Sequence, residues 1–181
     1  MNDSIIRKLM RYLCLILYVG FAQWLPVSYF PVLGRPSRWL RGVLCRRIFM
    51  QCGSPINVER RAKFGKGFHI CLGNHSCLGI NCYVPEDTVI GNNVMMGPDV
   101  YILPQNHNFS RTDIPMGAQG MEPSRQTVIG NDVWIGREVT MTPGRTIQDG
   151  TIIGACCLLC KDFPPYSIVG GNPSKLIRSR K

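Results

Sequence analysis

From Ile129 the chain reads IGNDVW, IGREVT, MTPGRT, IQDGTI, IGACCL and LCKDFP, six hexads in unbroken succession, each opening on an aliphatic residue. An earlier block from Leu72 reads LGNHSC, LGINCY, VPEDTV, IGNNVM and MGPDVY. The eleven leading residues are Leu72, Leu78, Val84, Ile90, Met96, Ile129, Ile135, Met141, Ile147, Ile153 and Leu159. In a chain that is 45% hydrophobic, such a series arises by chance on the order of once in ten thousand trials, so the period instructs the fold.

The period also selects the secondary structure. Six steps of about 100° turn a side chain by about 240°, which would scatter the aliphatics around a helix, whereas six steps of about 180° return it to one face. The hexads are therefore strands. Glycine follows the aliphatic in seven of them (Gly73, Gly79, Gly91, Gly97, Gly130, Gly136, Gly154) and is expected to supply a tolerant backbone for a corner. Nine of the eleven fifth places are small or β-branched. Short strands separated by tight corners make an all-β solenoid, and a hexapeptide period is the mark of a parallel β-helix. Two irregularities stand out. Phe64 and Leu72 are eight residues apart, which predicts a two-residue insertion in the first coils, and Arg145 takes a fifth place, where it must leave the prism at a corner or pair with an acid.

The whole chain has 181 residues, room for one domain with a substantial core. Its net charge of +10 is confined to one end: residues 1–66 carry twelve Lys/Arg against Asp3 and Glu59, and residues 67–181 balance nine against nine. The nine cysteines do not form the repeated C-x2-C pairs of structural zinc and read as small hydrophobes in a reducing cytoplasm, Cys156, Cys157 and Cys160 included. No metal is expected.

The repeat resembles that of the hexapeptide-repeat acyltransferases, over roughly Val58 to Arg178. That resemblance implies a left-handed parallel β-helix, three hexads to a triangular turn. The expected organisation is an N-terminal basic and apolar helical segment over 1–55, the β-helix over 56–178 with an extruded loop at about 103–127, and a basic tail at 179–181. The loop sequence LPQNHNFSRTDIPMGAQGMEPSRQ is far longer than an ordinary connection. The ordered set NHNF, DIP, VIGNDVWIG and KDFPPYSIVGGNPSKLIR is similar to the branch containing sugar and surface-polysaccharide O-acetyltransferases.

By that resemblance His107 is the general base. An imidazole titrates near neutrality and can take the proton of a hydroxyl as it attacks a thioester. The oxyanion donor is the backbone amide after WIG, that of Arg137. Trp134 would wall the channel for the pantetheine arm of acetyl-CoA, the co-substrate, and Gly136, Gly154 and Ala155 would let that arm lie against the coil. Lys161, Lys175, Arg178 and Arg180 can meet its phosphates. Asp87 and Asn81 are candidates for acceptor binding, in one wall, or else satisfy corner amides. His69 and His75 read as structural.

The expected activity is acetyl-CoA-dependent O-acetylation of a saccharide, free or lipid-linked, in capsule, exopolysaccharide or O-antigen synthesis, by a homotrimer. Alternatives are acetylation of an antibiotic or other small molecule, a γ-type carbonic anhydrase, and a non-enzymatic scaffold. The zinc enzyme would need His69, His75 and His107, and no H-x4-H spacing links any two. From Tyr12 to Gly34 there is no charge, but Pro26 and Pro31 cut the run short for a crossing. Trp39, Leu40, Val43, Leu44 and Ile48 set against Arg38, Arg41, Arg46 and Arg47 read as a basic interfacial helix. Residues 1–50 are thus expected to hold the protein at an anionic membrane surface, the cytoplasmic face of the inner membrane, or alternatively to cap the open end of the solenoid. No nucleic acid is expected.

Overall fold

The structure, a computed structural model, describes residues 5–181. Residues 1–4, the start of the basic segment, lie outside the described residues.

The hexads close into a parallel β-solenoid with three faces. The first face stacks Gln51–Cys52, Cys71–Leu72, Val89–Ile90, Val128–Ile129 and Thr146–Ile147. The second begins with Ile56–Val58 and Ser76–Leu78. It continues, across a bond from the Cys77 N–H to the Val94 carbonyl (3.0 Å), into Met95–Met96, Trp134–Ile135, Ile152–Ile153 and Ser167–Gly170. The third stacks Tyr101–Ile102, Thr140–Met141 and Leu158–Leu159, and single bridges carry it back through Tyr83 to Lys63. All eleven hexad leaders point inward and are buried, none more than 6% exposed. The nine small or β-branched fifth-place side chains are buried with them and fill the prism.

Register records the insertions. Cys71 pairs with Val89 and Thr140 with Leu158, 18 residues on. Gln51 pairs with Cys71 and Ile56 with Ser76, 20 residues on, so the first coil holds the two extra residues expected before Leu72. Val89 pairs with Val128 and Tyr101 with Thr140, 39 residues on, because the long loop leaves the coil between the third face and the first.

The corners correct the reading of glycine. Left-handed backbone falls at the fourth place of the hexad, at His75, Asn81, Asn93, Asp99, Asp132, Glu138, Gly144, Gly150 and Cys156. Asn, Asp and Gly tolerate that conformation best. None of the seven second-place glycines has positive φ. They are small because coils touch there: a Cβ on Gly136 would lie 2.6 Å from the Ala155 amide nitrogen, and one on Gly91 2.6 Å from the Gly130 carbonyl. At the corner after the first face, the Asn74, Asn92 and Asn131 amide N–H groups donate to the side chains of Asn92 (2.8 Å), Asn131 (2.9 Å) and Asp149 (2.6 Å), a ladder down the coil axis. Arg145 donates to the Cys160 carbonyl (3.2 Å) and lies 3.4 Å from Asp162, so it meets an acid at a corner.

The N-terminal segment forms α1 (Ile5–Gly20), a short turn (Ala22–Trp24) and α2 (Gly34–Ile48). No helix among the described residues is long and apolar enough to cross a membrane. The helices close the open end of the first coil. Tyr18 donates to the Ala62 carbonyl (2.8 Å), and Arg11 donates to Ile48 and Phe68 carbonyls (2.6 Å each) while stacking on the Phe68 ring.

Arg41, expected on the polar side of an interfacial helix, is fully buried instead. It donates to the carbonyls of Val58 (2.6 Å), Pro26 (3.0 Å) and Leu25 (3.3 Å) and faces Glu59 at 3.6 Å. The end of a solenoid presents unpaired carbonyls, and a guanidinium satisfies several at once. The first ladder strand lies at Gln51–Cys52, ahead of the expected boundary at 55. At the other end Lys175–Ser179 folds back antiparallel on Ser167–Gly170, so Ser179 of the expected tail ends a strand.

Candidate active site

The corner between the second and third faces carries Gly79, Gly97, Gly136 and Gly154 in successive coils. A Cβ on Gly97 would lie 2.8 Å from the Arg137 nitrogen. With no side chain in the way, the backbone N–H of Arg137 lies along this seam, and among the described residues it meets no hydrogen-bond acceptor. The Arg137 side chain turns aside, to Asp99 (3.4 Å) and Glu138 (3.1 Å). Ala155 follows one coil on, exposed, and the far end of the seam is Gly170, paired with Lys175.

Beside the seam, the outward row of the second face runs Met95, Trp134, Ile152, Ile168 and Arg178. Trp134 is half-exposed. Strands stack about 4.8 Å apart, so Trp134 and Arg178 are about 14 Å apart along the axis. One wall thus presents an N–H donor, an apolar strip with a small-residue floor, and cations at its end. Gly154 is open on the side of the next coil, where the nearest atom to an added Cβ is the Val169 carbonyl at 3.4 Å.

The remaining cations sit elsewhere. Arg180 donates to the Gly150 carbonyl (2.7 Å) and pairs with Asp132 (3.2 Å), at the corner between the first and second faces. Lys161 lies at the corner between the third and first, its ammonium 5.4 Å from the Phe163 ring centroid. The structure does not bring either to the seam.

His107 lies on the long loop, which leaves from that same third–first corner. The loop's arms pair antiparallel through His107 and Met121. Asn108 N–H donates to the Gly120 carbonyl (3.0 Å), Glu122 N–H to the Asn106 carbonyl (2.8 Å), and the Asn108 side chain to Gln119 and Met121 carbonyls (3.1 and 3.0 Å). These bonds explain Asn108, whose side chain fixes the arm, and they leave the imidazole exposed.

At the root of the loop opens a cleft of about 350 Å3 that includes His69, Tyr83, Glu86, Asp87, Pro104 and Ser124. Asp87 is here, but Asn81 is not. Asn81 belongs to the seam, where it donates to Asp99 (3.0 Å), so the two are not in one wall. Six residues separate them, and in a three-sided coil that is one whole face. His69, expected to be structural, lines this cleft, and the two-residue insertion in its coil is the sequence signal for that position. Burial first, and then the neighbouring Tyr101 and Glu86, push the Tyr83 phenol up. Among the described residues no three His, Cys, Asp or Glu side chains converge as a metal site.

Residues 126–161 match the family described as Bacterial transferase hexapeptide (six repeats). The chain is 57% identical over 63 residues to a chloramphenicol acetyltransferase of Agrobacterium fabrum, covering 35% of this chain and 30% of that one. It is 32% identical over 140 residues to the galactoside O-acetyltransferase of Escherichia coli K12, covering 76% and 68%. A solved structure of a galactoside acetyltransferase in complex with coenzyme A superposes with a TM-score of 0.75 at 26% identity, over 100% of this chain and 86% of that one. The match thus spans less than a third of the Agrobacterium protein and about two thirds of the Escherichia coli one.

Proposed function

The chain belongs to the hexapeptide-repeat transferase family, and from that premise we propose that it is an acetyl-CoA-dependent O-acetyltransferase acting on a saccharide hydroxyl in cell-surface polysaccharide synthesis. The observation that carries the reading is the seam: an unclaimed Arg137 N–H, a floor of Gly136, Gly154 and Ala155, the Trp134 row, and Lys175 with Arg178 at the end. Acetyl-CoA would lie along it with its thioester at Arg137 and its phosphates at Lys175 and Arg178. His107 takes the hydroxyl proton as the oxygen attacks the thioester carbon; the C–S bond breaks, and the proton passes to the departing thiolate. The Arg137 N–H stabilises the charge that develops on the thioester oxygen.

Where the two groups stand supports a homotrimer. Arg137 lies on the second–third corner and the His107 loop leaves the third–first corner, one face away. Packing prisms side by side in a homotrimer brings the loop of one against the seam of the next and covers half-exposed Met95 and Trp134. The 57% identity to a chloramphenicol acetyltransferase over 63 residues favours a second reading, acetylation of a small hydroxylated antibiotic.

The N-terminal helices favour the polysaccharide reading. On α1, Ile5, Leu9, Leu13 and Ile16 are half or more exposed, as are Tyr29, Val32 and Trp39 beyond it, next to the chain's surplus of arginine. That surface suits an anionic bilayer at the cytoplasmic face of the inner membrane. The test is turnover of His107→Ala against saccharide and chloramphenicol acceptors. The expected result is transfer to saccharides by the native protein and a loss of about two to four orders of magnitude in the variant with the oligomer intact. Native turnover of chloramphenicol alone would select the second reading, and near-native kinetics in the variant would remove His107 from the mechanism.

A further inference from the structure

A second groove, of about 330 Å3, runs between α1 and the first coil, lined by Tyr18, Val19, Ala62, Lys63 and Phe64, and it meets the loop-root cleft at two shared residues, Gly65 and Tyr83. Its outer mouth is at Val19, the last member of a helical stripe of Ile5, Leu9, Tyr12, Ile16 and Val19, each between 48% and 84% exposed. Lys63 is exposed and lines the groove, and its backbone bridges that of Tyr83 at the junction. Moving inward from the exposed stripe of α1, the surface passes from hydrocarbon to a groove edged by Val19, Gln23 and Lys63, and then to a polar cleft holding Asp87, Glu86 and His69.

That order matches one kind of molecule. A sugar joined through phosphate to a long hydrocarbon has the same sequence of chemistries: an apolar tail, an anionic link and a hydroxylated head. We propose that the acceptor is such a lipid-linked saccharide, with its hydrocarbon along the groove between Val19 and Phe64, its phosphate at Lys63 and its sugar in the cleft beside Asp87. The inference rests on the saccharide O-acetyltransferase reading. A soluble small acceptor would leave the groove and the α1 stripe without a role. With the lipid-linked acceptor, α1 lies in the plane of the bilayer and hands the tail directly to the cleft. Charge agrees, because a phosphodiester beside Lys63 replaces bulk water with a direct ionic contact, whereas the carboxylates of Glu86 and Asp87 would repel it from the sugar end.

The test uses the full-length protein, acetyl-CoA, and methyl and octyl glycosides of glucose, galactose and N-acetylglucosamine below their micelle concentrations. For the sugar that is acetylated, the octyl glycoside should show a KM at least about tenfold below the methyl glycoside, since several methylenes leave water. Val19→Glu, at a half-exposed position, should remove that advantage while leaving the Tm and the methyl glycoside unchanged. Decyl phosphate should compete with the octyl glycoside far better than inorganic phosphate, and Lys63→Gln should weaken that competition about tenfold. Equal KM values for the two glycosides, or an advantage that survives Val19→Glu, overturn the proposal while leaving the saccharide reading standing. Equal competition by inorganic phosphate identifies a plain anion site and overturns it too. Transfer to none of the glycosides overturns the saccharide reading and this inference together.

Discussion

Replacing Arg41 by Met should loosen the helical end of the molecule by about 3–5 kcal/mol. The side chain is wholly buried, and its volume is nearly conserved in the variant, so the loss is electrostatic. Three carbonyls, those of Leu25, Pro26 and Val58, lose their donor, and Glu59 loses the Arg41 cation while keeping Ser28 and Asn57. Orphaned carbonyls cost about 1–3 kcal/mol each where water cannot reach, which brackets the same range.

Hydrogen exchange is the right assay, because a repeat fold opens from its ends and a single unfolding free energy would blur the effect. Amides of α1 and α2 should exchange about a thousandfold faster, while those of the coils from Ile129 onward change little. The pH dependence fixes the cause. Burial works against the Glu59 carboxylate, but the Ser28 and Asn57 hydrogen bonds and Arg41 outweigh it and hold its pKa low. The native pairing therefore contributes above the unfolded pKa and is lost as pH falls through the folded one. Losing Arg41 removes one of the causes that hold that pKa down and moves it up, so the variant's deficit should shrink at pH 4 relative to pH 7, and Arg41→Met/Glu59→Gln should recover part of it. An opening penalty under about 1 kcal/mol, or one independent of pH, would refute the assignment.

Gly97→Ala places a Cβ 2.8 Å from the Arg137 nitrogen and should cost tenfold or more in kcat with a lowered Tm; Gly154→Ala, with 3.4 Å of room, should keep the Tm and raise the KM for acetyl-CoA. Lys175→Glu with Arg178→Glu should raise the KM for acetyl-CoA much more than that for the acceptor, an effect that Arg180→Glu, tied to Asp132, should not reproduce. Because α1 and α2 share a core with the first coil, membrane attachment is better tested by Leu9→Glu, Leu13→Glu and Ile16→Glu together than by truncation. The native protein should sediment with anionic vesicles and the triple variant should not.

The coil was legible because its rule is local and repeated: every aliphatic that opens a hexad is buried. What escaped was whatever depends on the neighbouring coil. Second-place glycines looked like corner residues, yet their reason is an atom one coil away, and the fourth-place Asn and Asp that turn the corners were in plain view. Arg41 had the periodicity of a lipid-facing cation, and only the unpaired carbonyls of the coil end explain its burial. Asn81 and Asp87 were joined by sequence proximity, which a triangular coil converts into separation. His107 is singled out by family likeness alone; the Asn108 side chain that pins its loop arm bonds to carbonyls 11 and 13 positions on, which one strand of text does not show.

The ladder spacing on either side of the long loop has one further consequence. Val89 meets Val128 in the same pairing that Cys71 makes with Val89, as if nothing had been inserted between them. The corner therefore acts as a socket, indifferent to the length or composition of what is plugged into it. On the proposed assignment, exchanging this segment would change the acceptor side while leaving the coil-built seam untouched. A chimera carrying a relative's loop between Ile102 and Thr127 should retain the native affinity for acetyl-CoA and take on the relative's choice of hydroxyl, which makes this chain a chassis on which acceptor preference can be swapped without rebuilding the catalyst.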